Sequence, residues 1–319
     1  MMNLKKMVCA LAMCMVCANG MAQDEQLIKY GDFEKWITRN LKESAIMGGQ
    51  KKTLMEVGPT STIEGNVAYT NQGGSPWATS NVYAKVCGIV KTNTSVFKAS
   101  HNGGSCAKLT THIEKCKALG IVNITVLAAG SLYTGKMIEP ITSSSNPMSK
   151  MSMGIPFTKR PKALMFDYKA EPTGEPNRIR ETGFSRTKTI AGKDYPDAIC
   201  ILQKRWEDSE GNIHALRVGT MAYRFTQTTD WKEKQSFPIH YGDITGEPFY
   251  KSYMGLITGD NVYYALNSKG KNVKIIEEGW ADADTEPTHV VVKFDSSHGG
   301  AYIGSPGNTL YIDNVKFVY

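Results

Sequence analysis

Long apolar runs are missing from this 319-residue chain outside its first residues. No later segment approaches the roughly 20 apolar residues that a membrane-crossing helix needs. Helical spacing is scarce and is expected only over Arg39–Met47 and Thr111–Leu119. The chain has no Gly-x-Ser-x-Gly elbow, no His-Glu-x-x-His pair and no phosphate-binding glycine loop. Serine hydrolases of the elbow type, zinc helices and P-loop enzymes are thereby set aside. Charge of one sign is never concentrated, since 37 Lys and Arg against 30 Asp and Glu are dispersed apart from Thr158-Lys159-Arg160-Pro161-Lys162. Nucleic acid is therefore not an expected partner, whereas anionic glycans stay open. Cysteine is sparse: seven in all, of which Cys9, Cys14 and Cys17 precede residue 22. The other four (Cys87, Cys106, Cys116, Cys200) form no Cys-x-x-Cys, and a Cys106–Cys116 disulfide is one pairing among several that an oxidising compartment permits. His101, Cys106 and His112 lie close in sequence, but packing or surface roles are expected of them.

What is present begins with an export signal. Lys5 and Lys6 precede the apolar stretch Met7–Ala18, and Gly20-Met21-Ala22 supplies a small-x-small cleavage site. Residues 1–22 are read as the signal and 23–319 as one domain, exported to the periplasm or cell surface with no membrane segment. Its removal takes two lysines and no acids, leaving 35 basic against 30 acidic residues, a balance of +5. Runs of alternating, β-branched and aromatic residues then predict strands at 81–90, 105–111, 122–128, 163–169, 198–206, 213–225, 235–241, 273–277, 289–294 and 309–318. Glu207–Asn212 and Asn267–Asn272 read as hairpin turns, and Gly130–Pro156 as a long surface loop. The fold class expected is all-β, a β-sandwich.

The two ends of the chain are the most telling pair. In Thr309–Phe317, alternation puts Tyr311, Asp313, Val315 and Phe317 on one face. An acid among such neighbours needs a cation or a basic side chain to compensate it. Gly31-Asp32-Phe33-Glu34 and Leu310-Tyr311-Ile312-Asp313-Asn314-Val315 resemble the opening and closing strands of secreted jelly-roll carbohydrate-binding modules. The resemblance implies a jelly-roll-like sandwich closed by its own ends and a structural calcium held by such acids. Asp32, Glu34 and Asp313 are the candidate ligands, and Asn102-Gly103-Gly104 could add carbonyl oxygens. Internally, Ser75–Asn81, Asn102–Leu109, Ile155–Leu164 and the closing Asp295–Tyr319 segment resemble a carbohydrate metabolism domain family of exported gut Bacteroidetes proteins. That resemblance spans nearly the whole chain beyond residue 22. It implies glycan binding or glycan cleavage.

Sugar recognition asks for flat aromatic faces and polar groups at fixed angles. Trp77, behind the turn-rich Gly73–Pro76, with Asn81 nearby, and Trp206 and Trp231 near strand ends are the expected platforms, while Trp36 and Trp280 read as packing residues. Lys159, Arg160 and Tyr168 would read an acidic sugar. For hydrolysis Asp167 and Tyr168 are the candidates, with Glu207, Asp208, Glu210, Asp243, Glu247, Glu277 and Glu278 less specific. A lyase would draw on Tyr168, His240, Tyr241 and Arg160. The leading expectation is a carbohydrate-binding protein with an oligo- or polysaccharide partner and no organic cofactor. A glycoside hydrolase or polysaccharide lyase on the same scaffold is the alternative, and an adhesin without a sugar pocket the third.

Overall fold

The structure, a computed structural model, describes residues 24–118, 122–143, 145–183, 185–259 and 262–319. The expected export segment and its cleavage site lie outside the described residues. Two large sheets carry the chain. The six-stranded sheet runs in the order Lys232–Pro238, Ala163–Glu171, Thr309–Val318, Gly104–Thr110, Val96–His101, and Glu25–Leu27 pairs antiparallel with the far end of Thr309–Val318. The chain's ends thus meet in one sheet, with Glu25 opposite Val318 and Leu27 opposite Lys316.

The second, ten-stranded sheet includes Trp77–Thr79, Ser131–Met137, Met151–Met153, Asp197–Glu207, Ile213–Arg224, Tyr264–Leu266, Asn272–Trp280 and His289–Asp295. Alternation assigns its faces. Ala198, Cys200 and Leu202, with Val290, Val292 and Phe294, turn inward onto Leu164, Phe166, Leu310 and Ile312 of the other sheet and form the sandwich core. Phe166 and Phe294 meet across it with ring centroids 5.1 Å apart. The odd-numbered residues of the same strands therefore face away. There Ser131–Met137 pairs both with His289–Asp295 and with Met151–Met153, and the sheet curls back on itself around a second apolar cluster that includes Tyr133, Met153, Ile201, Tyr263, Ile275 and Val291. Among the described residues no helix is long and apolar enough to cross a membrane.

Several local expectations are corrected. Arg39 lies in the strand Trp36–Lys42, followed by a single 3-10 turn at Ala45–Met47, and the second expected helix is the strand His112–Ala118. Each pairs along its length with a neighbouring strand, which overrides weak helical spacing. Gly130–Pro156 is no surface loop: it contributes Ser131–Met137 and Met151–Met153, with Leu132, Tyr133 and Met153 fully buried. Alternation in the last strand breaks at Asn314, whose φ of 53° accompanies a register shift against Ala163–Glu171. Leu310 and Ile312, then Val315 and Phe317, consequently share the core face, and Tyr311 and Asp313 lie opposite. Cys106 is a buried free thiol rather than half of a disulfide.

Candidate functional site

Outside the sandwich core, on the far face of the ten-stranded sheet, a cleft of about 770 Å³ opens over Ile199, Ile201, Thr220 and Ala222. Its walls come from the hairpin Val82–Val86/Ile89–Asn93, the hairpin His112–Ala118/Val122–Ala128, the methionines Met137 and Met151, and the segments 252–258 and 297–302. Most of the lining is apolar. Polar chemistry is concentrated at one end.

Strand register builds that end. Ser131 pairs with Asp295, Asp295 with Asp197, and Asp197 with Arg224, so one rung crosses four neighbouring strands. Lys293, two residues before Asp295 and on the same face, ion-pairs with it, and the Ser131 hydroxyl donates to the other Asp295 oxygen. Asp197 has no such help: its Oδ1 is buried and accepts no hydrogen bond. Burial, followed by the charge of Asp295, pushes the Asp197 carboxyl up to about 8. Arg224 lies with its guanidinium 4.3 Å from the centroid of the Tyr253 ring, and Tyr253 is 36% exposed. Behind the rung, Asp194 accepts from Ser305 N at 2.8 Å and Asn308 Nδ2 at 2.9 Å, and His298 stands 3.3 Å from its Oδ1. Burial and the nearby arginines push His298 down to about 4, which leaves it neutral at pH 7. An acid that keeps its proton beside a carboxylate held by a lysine can donate to a sugar oxygen on one side and accept from a hydroxyl on the other.

The opposite end of the cleft is closed by structure. Arg217 Nε and Nη2 donate to Glu277 at 2.7 and 2.6 Å, and Gln203 and the Ile257 amide complete that carboxylate's shell. Glu277, one of the weak hydrolytic candidates, is thereby spoken for.

The residues expected from sequence fall elsewhere. Trp77 is fully buried between Phe33 and Phe294 and donates to Lys29 O at 3.0 Å, so it is a core residue. Asn81 is buried too: its amide bonds Met55 O and Val96 O and receives Ser95 N and Val96 N, pinning a loop crossing. Asp167 accepts Lys234 N and Asn314 Nδ2 at 2.6 and 2.8 Å, and Tyr168 packs in the core 4.6 Å from Phe225. Both are structural, and neither faces the cleft. Arg160 lies over Tyr241 and donates to Thr285 O and Ala283 O, while Lys159 reaches Gln26. Trp231 stacks on His101 at 3.6 Å. Of the tryptophans expected as platforms, Trp206, 42% exposed and stacked on His214, presents an open aromatic face, outside the cleft lining. Among the other weak acids, Asp208 caps its own turn and Asp243 bonds Thr245.

The compensating group for Asp313 is basic: His101 Nδ1 approaches its Oδ2 at 2.7 Å, and Asn314 N donates to Oδ1. Glu34 accepts from Ser105 N and Oγ. Among the described residues no three His, Cys, Asp or Glu side chains are grouped to hold a metal ion. Asp313 and Glu34 are thus engaged by protein donors.

Residues 52–233, more than half of the chain, match the family described as "putative carbohydrate metabolism domain". The chain belongs to that family. No curated protein matches. Similar solved structures include a putative glycoside hydrolase from Bacteroides thetaiotaomicron, 21% identical with a TM-score of 0.44 over 85% of this chain and 76% of that one. A putative glycoside hydrolase from Bacteroides vulgatus is 17% identical with a TM-score of 0.44 over 90% and 96%. A carbohydrate-binding module specific for non-crystalline cellulose is 10% identical with a TM-score of 0.27 over 79% and 92%. Asp197, Asp295 and Arg224 escaped sequence reasoning because each is a charge at a strand end, and Lys293 because it sits in an apolar strand two residues before Asp295. The signal that could have found them is parity: with Ala198, Cys200 and Leu202 inward, Asp197 must face outward, and Lys293 and Asp295 share a face.

Proposed function

We propose that this member of the carbohydrate metabolism domain family is an exported protein that binds a glycan chain in the cleft over the ten-stranded sheet. The supporting observation is the rung Ser131–Asp295–Asp197–Arg224 set into an apolar trough with the Tyr253 ring at its edge. Apolar walls take the C–H faces of pyranose rings, and the rung reads hydroxyls with both donors and acceptors. The test is retention of the full chain in affinity gels cast with a panel of neutral and acidic polysaccharides. Tyr253→Ala is expected to weaken retention about tenfold, the scale of one stacking contact. Trp206→Ala is expected to leave it unchanged. Retention that follows Trp206 instead would move the site to the outer surface.

A second reading, cleavage, is favoured by one observation: a carboxyl that keeps its proton beside a paired carboxylate. Asp197 would protonate the departing glycosidic oxygen as its bond to the anomeric carbon breaks, and Asp295 would face that carbon. New reducing ends lost in both Asp197→Asn and Asp295→Asn would establish it, and retention without new ends leaves binding alone.

A further inference from the structure

Buried polar atoms without a hydrogen-bond partner are not scattered evenly over the described residues. Asp197 Oδ1 and Arg224 Nε belong to residues that line the polar end of the cleft, and Asp194 Oδ1, Arg178 Nε and Ser305 Oγ lie next to them behind that lining. Such groups cost stability unless something arrives to satisfy them. Charge at this end is also uneven. Lys293 is cancelled by Asp295. Arg178 and Arg224 remain, and Asp194 is the carboxylate available to them while Asp197 holds its proton. Three cations thus stand against two carboxylates. Among the described residues no ion pair or hydrogen bond engages the Arg224 guanidinium, which lies over the Tyr253 ring with Asp197 the nearest-acting carboxyl. Burial lowers its pKa, the sign of a cation short of a counter-charge.

We infer that the polar end of the cleft takes the carboxylate of a uronic acid residue, with Arg224 as its ion-pair partner and the Asp197 hydroxyl as a second donor. This deepens the glycan reading and rests on it. A planar carboxylate suits the guanidinium fork, which lies over the Tyr253 ring. One oxygen would meet the Arg224 guanidinium and the other the proton of Asp197. A neutral sugar would leave the positive charge unanswered. Tyr253 then serves twice, holding Arg224 with its face and bounding the sugar with its edge. On this inference the arginine facing an acidic sugar is Arg224 rather than the expected Arg160, whose guanidinium donates to Thr285 O and Ala283 O.

The deciding measurement compares a uronate-containing polysaccharide with the same polymer after chemical reduction of its carboxyl groups, each titrated against the full chain. The expected result is a loss of tenfold or more on reduction, and a like loss for Arg224→Gln on the native polymer. Arg224→Gln should bind the native and the reduced polymer about equally, and Arg224→Lys should recover part of the native preference. Equal binding of native and reduced polymers by the unaltered chain overturns the inference and leaves glycan binding standing. A sulfated polymer bound in preference to the uronate overturns it in favour of sulfate esters. No binding of any polysaccharide defeats both readings. Because the native-versus-reduced comparison needs no variant, a folding defect in Arg224→Gln cannot obscure the answer.

Discussion

At the scale of the residue, Asp197 is where stability and function pull apart. Its carboxyl titrates at about 8 in the folded chain against an ordinary value of 3.8. Between those values the unfolded chain gives up this proton while the folded chain keeps it, so the acid erodes stability progressively as pH rises from about 4 to about 8. Below that window both states hold the proton and nothing is lost. Asp197→Asn keeps the shape and removes the titration. It is expected to stabilise the protein at pH 8 by on the order of 1–3 kcal/mol, less than the full shift implies because neighbours relax, and to change little at pH 4. Urea unfolding at the two pH values checks this, and a variant equally stabilised at both would contradict the assignment. The same substitution should leave glycan retention largely intact, since the Asn amide also carries a donor and an acceptor, and should abolish any cleavage, since it cannot yield a proton. Sequence reading gave such a residue no weight. Asp167 stands out in the sequence beside Tyr168 in the strand that follows Lys159-Arg160, yet its two oxygens accept from Lys234 N and Asn314 Nδ2. Chemical availability depends on partners, and partners are set by long-range register.

Single elements explain why strands were legible and their roles were not. The runs at 163–169, 198–206, 213–225, 289–294 and 309–318 are strands because alternation and β-branching act locally. Ser131–Met137 lay hidden in a segment rich in Gly, Ser and Pro, since its pairing is distributed over three partners: Trp77–Thr79, His289–Asp295 and Met151–Met153. The handover takes place at Gly135, whose φ is 149° and where a Cβ would lie 2.1 Å from Ser152 O. Only glycine permits that approach. Gly135→Ala is therefore expected to cost about 1–3 kcal/mol and to displace Met151–Met153. Met137 and Met151 line the cleft, so the wall beside the glycan loosens with it. Faster amide exchange over 131–153, with the six-stranded sheet unaffected, is the expected outcome, and uniform loss of protection would argue for global destabilisation instead.

Over the whole molecule, one buried cation fastens the smaller sheet Trp36–Lys42/Lys51–Val57/Ser61–Glu64 to the sandwich. Arg39 donates to Glu56 at 2.8 Å and to Glu139 at 2.5 Å and lies over Tyr69. Glu139 in turn receives the amides of Tyr69 and Tyr83, and Glu56 receives Thr79 Oγ1. Four separate stretches of chain converge on it, and one of them opens the Val82–Val86 strand in the cleft wall. Two carboxylates share one guanidinium, and burial pushes Glu56 up to about 7 from 4.5. Removing the cation strands both acids in a dry site, which costs about 3–5 kcal/mol. Arg39→Met should therefore destabilise the fold by that amount. It should do so more at pH 8 than at pH 5, because a raised acid costs stability as pH climbs through the interval between its unfolded and folded values. Adding Glu56→Gln to Arg39→Met should recover part of the loss at pH 8 and little at pH 5, since the amide cannot ionise. Thermal melts of the three proteins at both pH values decide it. Equal losses at the two values would mean that Arg39 acts through packing rather than charge, and the smaller sheet would then be held by its apolar contacts alone.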